Sequence, residues 1–225
     1  MLPTRGETVI ASALWWRDHV SAAPEAALSA AEAWLSHRRT DADLRAISRH
    51  IACLASAQRG RFVEAREHAR RGVDVARRAR LVRREMQLRL ALAWLDLERG
   101  AHRESWRQLA VVASSADAAE LAAVACLRGI LRCHGHEHRL AVNDLTEAVE
   151  FAGEPQWTAG ATLARGVALM RSNALHAAER DLAAAERVFL TGKEFAQVAV
   201  CQHNRGCVAL HDGDVGRALR LFTTA

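Results

Sequence analysis

One spacing of small, turn-forming and apolar residues recurs along the chain and restricts the fold more than any other feature. In the last segment, Gly206 is followed by Gly213, Ala218, Phe222 and Ala225, at offsets of 7, 12, 16 and 19 residues. Similar sets of residues at these offsets start at positions that we call anchors: Leu14, Cys53, Ala93, Gly129, Gly166 and Gly206. A fixed period of this length predicts a repeat architecture with about six units.

Each offset has a physical role in a pair of packed helices. Apolar residues recur at intervals of three and four throughout, and no segment shows the alternation typical of strands. A small anchor allows two helices to cross closely, while Gly or Asn seven residues later tolerates the left-handed backbone that ends a helix. The larger residue at offset 16 fills the space between the helices, and Pro24 fits the first turn of a second helix. We therefore predict an all-α chain.

This pattern resembles the tetratricopeptide (TPR) family, most clearly in "RGVALMRSNALHAAERDLAAA" and "RGCVALHDGDVGRALRLFTTA". The resemblance implies a right-handed α-solenoid in which residues 1–225 form a single domain. The units are 36 to 40 residues long, against the family's usual 34, which implies extended helices or linkers. The aromatic residue that the family places three positions after the anchor is absent. Those positions hold Arg17, Ser56, Asp96, Arg132, Leu169 and Ala209.

The apolar residues near the end of the chain lead to two further expectations. Leu219, Leu221 and Phe222 would be exposed on a final second helix, because such helices normally pack against a following one. We expect a piece of a longer protein, or self-association through this end. More loosely, "AAERDLAAAERVF" followed by "QHNRGCVALHDGDVGRAL" is similar to the TPR region of actinobacterial CHAT-domain (caspase-like) proteins. That resemblance implies a bacterial protein whose effector domain is absent from this chain.

The resemblance also implies a binding surface on the first helix of each repeat, at positions three before and one, four and five after the anchor. This surface would be largely apolar, which favours a peptide, helix or protein partner. The predicted function is a protein-interaction scaffold or sensor segment that regulates an effector. The predicted contact residues are Trp15, His50, Trp94, Ile130, Val167, Arg171, His203, Cys207 and His211. Packing inside the repeat core is the alternative for these residues.

Two groups of His and Cys residues have the composition of metal ligands. One is "CHGHEH", from Cys133 to His138, and the other is His203, Cys207 and His211, which share a helix face. We interpret both as solvated polar positions and predict no metal and no cofactor. There is no Gly-rich phosphate loop and no plausible nucleophile–His–acid set, so we do not expect an enzyme.

The stretch 59–89 is strongly basic, with 11 Arg against four acidic residues. It could bind nucleic acid through phosphate contacts, but Glu64, Glu67 and Asp74 lie at spacings suited to ion pairs along a helix. We favour a solvated Arg-rich face over nucleic-acid binding. An oligomerisation module of a signalling or transcription regulator is a second alternative. Five Cys without a close-spaced framework, and no signal peptide or membrane span, predict a cytoplasmic protein.

Overall fold

A computed structural model describes residues 9–14, 20–37, 40–114, 118–153 and 155–225. All regular structure in these residues is helical. Helix α1 contains residues 9–14. The other helices are α2 Pro24–Ser36, α3 Ala42–Gln58, α4 Phe62–Arg78, α5 Val82–Glu98, α6 His102–Ala113, α7 Ala118–His134, α8 His138–Phe151, α9 Pro155–Arg171, α10 Leu175–Thr191, α11 Phe195–His211 and α12 Val215–Thr224. The odd-numbered helices carry the anchors and are the first helices of the repeats.

The chain divides into two compact units, Met1–Ser115 and Ala116–Ala225. Within each unit, helices that are consecutive in sequence pack against each other. First helices also contact the first helix of the next repeat, as α3 with α5, α7 with α9, and α9 with α11. Among the described residues, no second helix contacts the second helix of a neighbouring repeat within its unit. The first helices therefore form the more closely packed side of each unit.

The turns between paired helices take the backbone conformation that the sequence predicts. The residues seven after the last five anchors have positive φ between 62° and 84°: Gly60, Gly100, His136, Asn173 and Gly213. A backbone N–H after each turn bonds the carbonyl five residues earlier, as Ala174 N to Leu169 O at 2.9 Å. These bonds satisfy carbonyls that the end of a helix would otherwise leave unpaired. The predicted turn position is confirmed in five repeats.

The paired helices cross closely at the anchors, as predicted. A Cβ atom added to Gly166 would lie 2.8 Å from Leu182 Cγ, and one added to Gly206 would lie 2.4 Å from a ring carbon of Phe222. Leu182 is the residue at offset 16 from Gly166, and it is fully buried. The larger residue therefore occupies the space that the missing anchor side chain leaves open.

The first repeat departs from the predicted register by one residue. Ala26 and Ala33, at offsets 12 and 19 from the anchor Leu14, are exposed, whereas Ala27 and Ala31 are fully buried. The cause is that α2 begins at Pro24, ten residues after the anchor Leu14, while the later second helices begin nine after theirs. Pro24 does occupy the first turn of the second helix, as predicted.

The all-α class and the predicted repeat of paired helices are confirmed by these elements. The first helices α3, α5, α7, α9 and α11 each have 17 residues, which accounts for much of the long repeat. In the described part of the chain, no helix is long and apolar enough to span a membrane. The single-domain assignment of residues 1–225 stays a prediction.

Candidate partner-binding site

The first helices of the unit Ala116–Ala225 bring several predicted contact residues onto one side. Ile130 on α7, Val167 on α9 and Cys207 on α11 each follow their anchor directly, and all three are half-buried. Arg171 and His211, five residues after their anchors, are exposed. We call these five residues the C-terminal first-helix face. Half-buried apolar residues beside exposed polar ones leave surface that a partner can cover.

Arg171 links two first helices and keeps donors available for a ligand. Its Nη1 donates to the carbonyl oxygen of Cys133 near the end of α7, at 3.4 Å. Arg171 has no carboxylate partner among the described residues, and a guanidinium group has five N–H donors. The remaining donors can bind a carboxylate, for which the planar group is well suited.

His203 is exposed and lies beside the second helix of its own repeat. Its ring is 5.4 Å from that of Phe222 on α12. The equivalent residues of the two preceding repeats, Cys126 and Leu163, pack against the first helix that follows them. His203 therefore lies on the side of α11 next to α12. We do not count it among the residues of the C-terminal first-helix face.

The two His and Cys groups show no metal-binding geometry. His203 Nε2 and Cys207 Sγ are 3.8 Å apart. His136 and His138 stack edge to face, with ring centroids 5.8 Å apart. Over the residues that the structure describes, no group of three His, Cys, Asp or Glu residues is arranged to hold a metal ion.

The unit Met1–Ser115 has its own exposed aromatic pair. Trp94 on α5 is 37% exposed, and its ring lies 6.3 Å from that of Phe62, which begins α4 and is 43% exposed. His50 on α3 is half-buried. Trp15 lies outside the described residues. Sequence analysis missed Phe62, because it lies on a second helix, where the family pattern places no contact residue.

Arginines directly before the last three anchors join neighbouring helices of the unit Ala116–Ala225. Arg165 binds Asp181 through two bonds, of 2.7 and 3.1 Å. Arg128 pairs with Asp144 at 2.9 Å and Glu147 at 2.7 Å. Arg205 pairs with Glu179 at 2.8 Å, and also with Glu186. The sequence signal for this missed network is the dipeptide Arg-Gly at each of the three anchors.

The five cysteines are free thiols. Burial raises the pKa of Cys53 to about 12 and that of Cys126 to about 11. Burial, with a smaller contribution from Glu186, raises the pKa of Cys201 to about 11, and burial also raises that of Cys133. Because the thiolate is the reactive form, these four thiols should be unreactive in the folded chain.

We expect iodoacetamide at pH 8 to alkylate Cys207 before any other cysteine. Cys207 is half-buried on the C-terminal first-helix face, whereas a buried thiol with a raised pKa has very little thiolate at that pH. Mass spectrometry of samples taken over a time course measures the order in which the cysteines react. The unfolded chain in urea is the control, and all five sites should react there. Alkylation of Cys53 as fast as Cys207 would contradict the described burial.

The Arg-rich stretch 59–89 is largely neutralised by ion pairs, which confirms the predicted spacing. Pairs within one helix are Arg61–Glu64, Arg71–Glu67, Arg77–Asp74 and Arg89–Glu85, between 2.6 and 3.4 Å. Pairs between helices are Arg59–Glu25, Arg66–Asp96 and Arg84–Asp43, between 2.8 and 3.6 Å. An extended run of unpaired arginines is therefore not present along this stretch.

Comparison with known proteins shows solved structures with a similar fold. No family model matches the chain, and no curated protein matches it. The chain is similar to BtubC (BKLC) from P. vanneervenii, with a TM-score of 0.64 and 15% identity over 91% of this chain and 87% of that one. Another similar structure is YrrB, a TPR protein with an unusual peptide-binding site, with a TM-score of 0.49 and 15% identity over 90% of this chain and 91% of that one. In architecture the chain is a TPR-like helical-repeat protein; at these identities the likeness concerns the fold alone.

Proposed function

We propose that the chain is a protein-interaction module that binds peptide or protein segments on its first-helix surfaces. The observation that supports this most directly is the C-terminal first-helix face. There, three half-buried residues occupy equivalent positions on three successive first helices, α7, α9 and α11. Arg171, which has no carboxylate partner among the described residues, belongs to the same face. Stacked first helices offer an extended surface that a chain segment can follow.

The partner's chemistry follows from the residues of this face. Ile130, Val167 and Cys207 can contact apolar side chains of the partner, and Arg171 can pair with an acidic one. A desolvated Arg–carboxylate pair beside apolar contacts is a common source of binding energy. We therefore propose a segment that carries apolar residues and at least one Asp or Glu. In the unit Met1–Ser115, Trp94 and Phe62 offer a separate apolar contact.

Binding of selected peptides to matched variants tests this proposal. Peptides are selected from a displayed library against the whole chain, and their affinities are measured by calorimetry. We expect that Arg171→Ala or Trp94→Ala weakens binding of peptides that use the corresponding surface by at least about tenfold, because Arg and Trp dominate binding energies at interfaces.

Two substitutions on second helices serve as controls. Arg180→Ala removes the same charge from α10, and Trp106→Ala removes an equally exposed tryptophan (38%) from α6. Peptide affinity should change less than twofold in both, roughly 0.4 kcal/mol or less. If the second-helix variants lose affinity and the first-helix variants keep it, the proposed surface is wrong.

Three finer parts of the function rest on sequence resemblance or composition. We propose that binding regulates an effector domain, as the similarity to the TPR region of CHAT-domain proteins suggests, and that the protein is bacterial and cytoplasmic. Self-association through Leu219, Leu221 and Phe222 is a second proposal. It is favoured by the 64% exposure of Leu219 on α12. Leu221 and Phe222, which the sequence also predicts to be exposed, are half-buried, because Phe222 packs at the crossing with Gly206. The contact role of His50, His203 and Trp15, and the absence of enzymatic activity, stay predictions.

A further inference from the structure

A groove between α3 and α4 concentrates positive charge. It has a volume of about 550 Å³ and is lined by Arg45, Arg49, Arg71 and Arg78. Asp74 is the one acidic residue among its lining residues, so the formal charge of the lining is +3. We call it the α3–α4 groove; all of it lies within the unit Met1–Ser115.

The arginines of this groove differ from most of those in the stretch 59–89, because three of the four lack a carboxylate partner in the described part of the chain. Arg45 donates to the carbonyl oxygen of Thr40 at 3.0 Å, and Arg49 contacts Nδ1 of His68 at 3.1 Å. Neither Arg45, Arg49 nor Arg78 forms an ion pair within the described ranges of the chain. The two available carboxylates are already used, since Asp74 pairs with Arg77 at 3.0 Å and Glu67 with Arg71 at 2.6 Å.

Burial and the closeness of these cations together lower the pKa values of two groups at the groove. Burial lowers the pKa of Arg49, and the neighbouring charges of Arg71 and Arg45 lower it further, while Glu67 opposes them. Burial also lowers the pKa of His68, with Arg49 as the next cause. Like charges held together without a counter-charge destabilise the folded chain. A bound anion would remove that cost, which makes the groove a candidate binding site.

We propose that the α3–α4 groove binds a compact phosphate-bearing anion, held by Arg45, Arg49 and Arg78. Planar guanidinium groups pair with phosphate oxygens through two parallel N–H bonds. A compact ligand fits better than a nucleic-acid strand, because most of the arginines beyond the groove in the stretch 59–89 are paired. Arg61 is bound by Glu64, and Arg84 by Asp43. This site is additional to the peptide-binding surfaces proposed above.

Calorimetry with inorganic phosphate and pyrophosphate tests the site in the whole chain at low salt. We expect saturable binding, stronger for pyrophosphate because it offers more oxygens and more charge. Arg49→Gln with Arg78→Gln should weaken pyrophosphate binding by at least about tenfold, since each removes a charge-assisted contact. Arg78→Gln alone is the second variant; Arg78 is exposed, so its replacement leaves the fold intact and should still weaken binding measurably.

Arg70→Gln is the matched control, because it removes the same charge from α4 on the side of a neighbouring groove. Pyrophosphate should bind this variant as it binds the unaltered chain. Equal losses in Arg70→Gln and Arg78→Gln would show a general charge effect and overturn the proposal, as would the absence of saturable binding. The proposal would also be contradicted if a single-stranded RNA bound more tightly than pyrophosphate and both variants weakened RNA binding equally. That result would indicate an extended nucleic-acid surface.

Discussion

Replacing Leu182 with alanine should lower the free energy of unfolding by about 3 kcal/mol, the loss typical of a fully buried leucine. Leu182 is 0% exposed and fills the crossing of α9 and α10 above Gly166. Truncation removes apolar contacts and leaves a cavity in the crossing. Urea denaturation followed by circular dichroism measures the change.

A double-mutant cycle tests whether the close contact between Gly166 and Leu182 accounts for the loss of stability. Gly166→Ala should lower the free energy of unfolding by roughly 1 to 2 kcal/mol, because the new Cβ would meet Leu182 Cγ at 2.8 Å. With Leu182→Ala already present, the same change should be neutral or stabilising, since alanine favours helix over glycine. Gly160→Ala on the same helix is the control. No atom lies within 4 Å of its added Cβ, so stabilisation of up to about 1 kcal/mol is expected. Additive losses in the cycle would contradict the described crossing.

Replacing Asp96 with alanine should have the second large effect on stability, a loss of about 3 kcal/mol. Asp96 is 1% exposed and accepts bonds from Arg66 at 2.8 Å and from Arg99 at 3.1 Å. Its removal would leave Arg66, whose side chain is only 20% exposed, without its counter-charge. Urea denaturation of the variant measures the loss.

Asp74→Ala is the matched control for the ion pair, because it deletes the same group from an exposed pair. The side chains of Asp74 and Arg77 are 52% and 61% exposed. Exposed pairs contribute at most about 1 kcal/mol, so the loss should be small. If the two variants are equally stable, the buried pair does not stabilise the fold in the way described.

The repeat could be predicted from the sequence because each of its positions is fixed by a local requirement. Only glycine, or a residue that tolerates positive φ, ends the first helix, and Asn173 (64°) and His136 (62°) do so here. Only a small residue fits at a crossing, as Gly166 shows. These requirements act within about 20 residues, so a spacing rule finds them.

The buried ion pair of Asp96 could not be predicted in the same way, because it joins residues of different repeats. Asp96 occupies the position where the family has an aromatic residue, and its partner Arg66 is 30 residues earlier on a second helix. Nothing in the spacing shows which of 11 arginines in the stretch 59–89 makes this contact. Geometry decides it, since the second helix of one repeat packs against the first helix of the next.

The contact residues of the candidate site stay predictions, because the structure gives their burial and their neighbours but no bound partner. The family spacing places Val167 and Arg171 on one first helix, where they are half-buried and exposed. The same spacing also serves residues that pack against the next repeat, such as Leu163, so spacing alone does not separate His203 from them. Phe62 was missed because its neighbour Trp94 belongs to a different repeat. The register of the first repeat was wrong because a one-residue longer connection leaves no clear mark in an Ala-rich helix.

Site-specific photo-cross-linking tests the central claim, that partners bind the first helices, most directly. A benzophenone amino acid is placed at position 171 on α9 or at position 180 on α10, both of which are exposed. A peptide selected for binding to the unit Ala116–Ala225 is then irradiated with each protein. We predict a cross-linked product from position 171 and none from position 180. A product from position 180 alone would show that the partner binds the second helices, and would contradict the account.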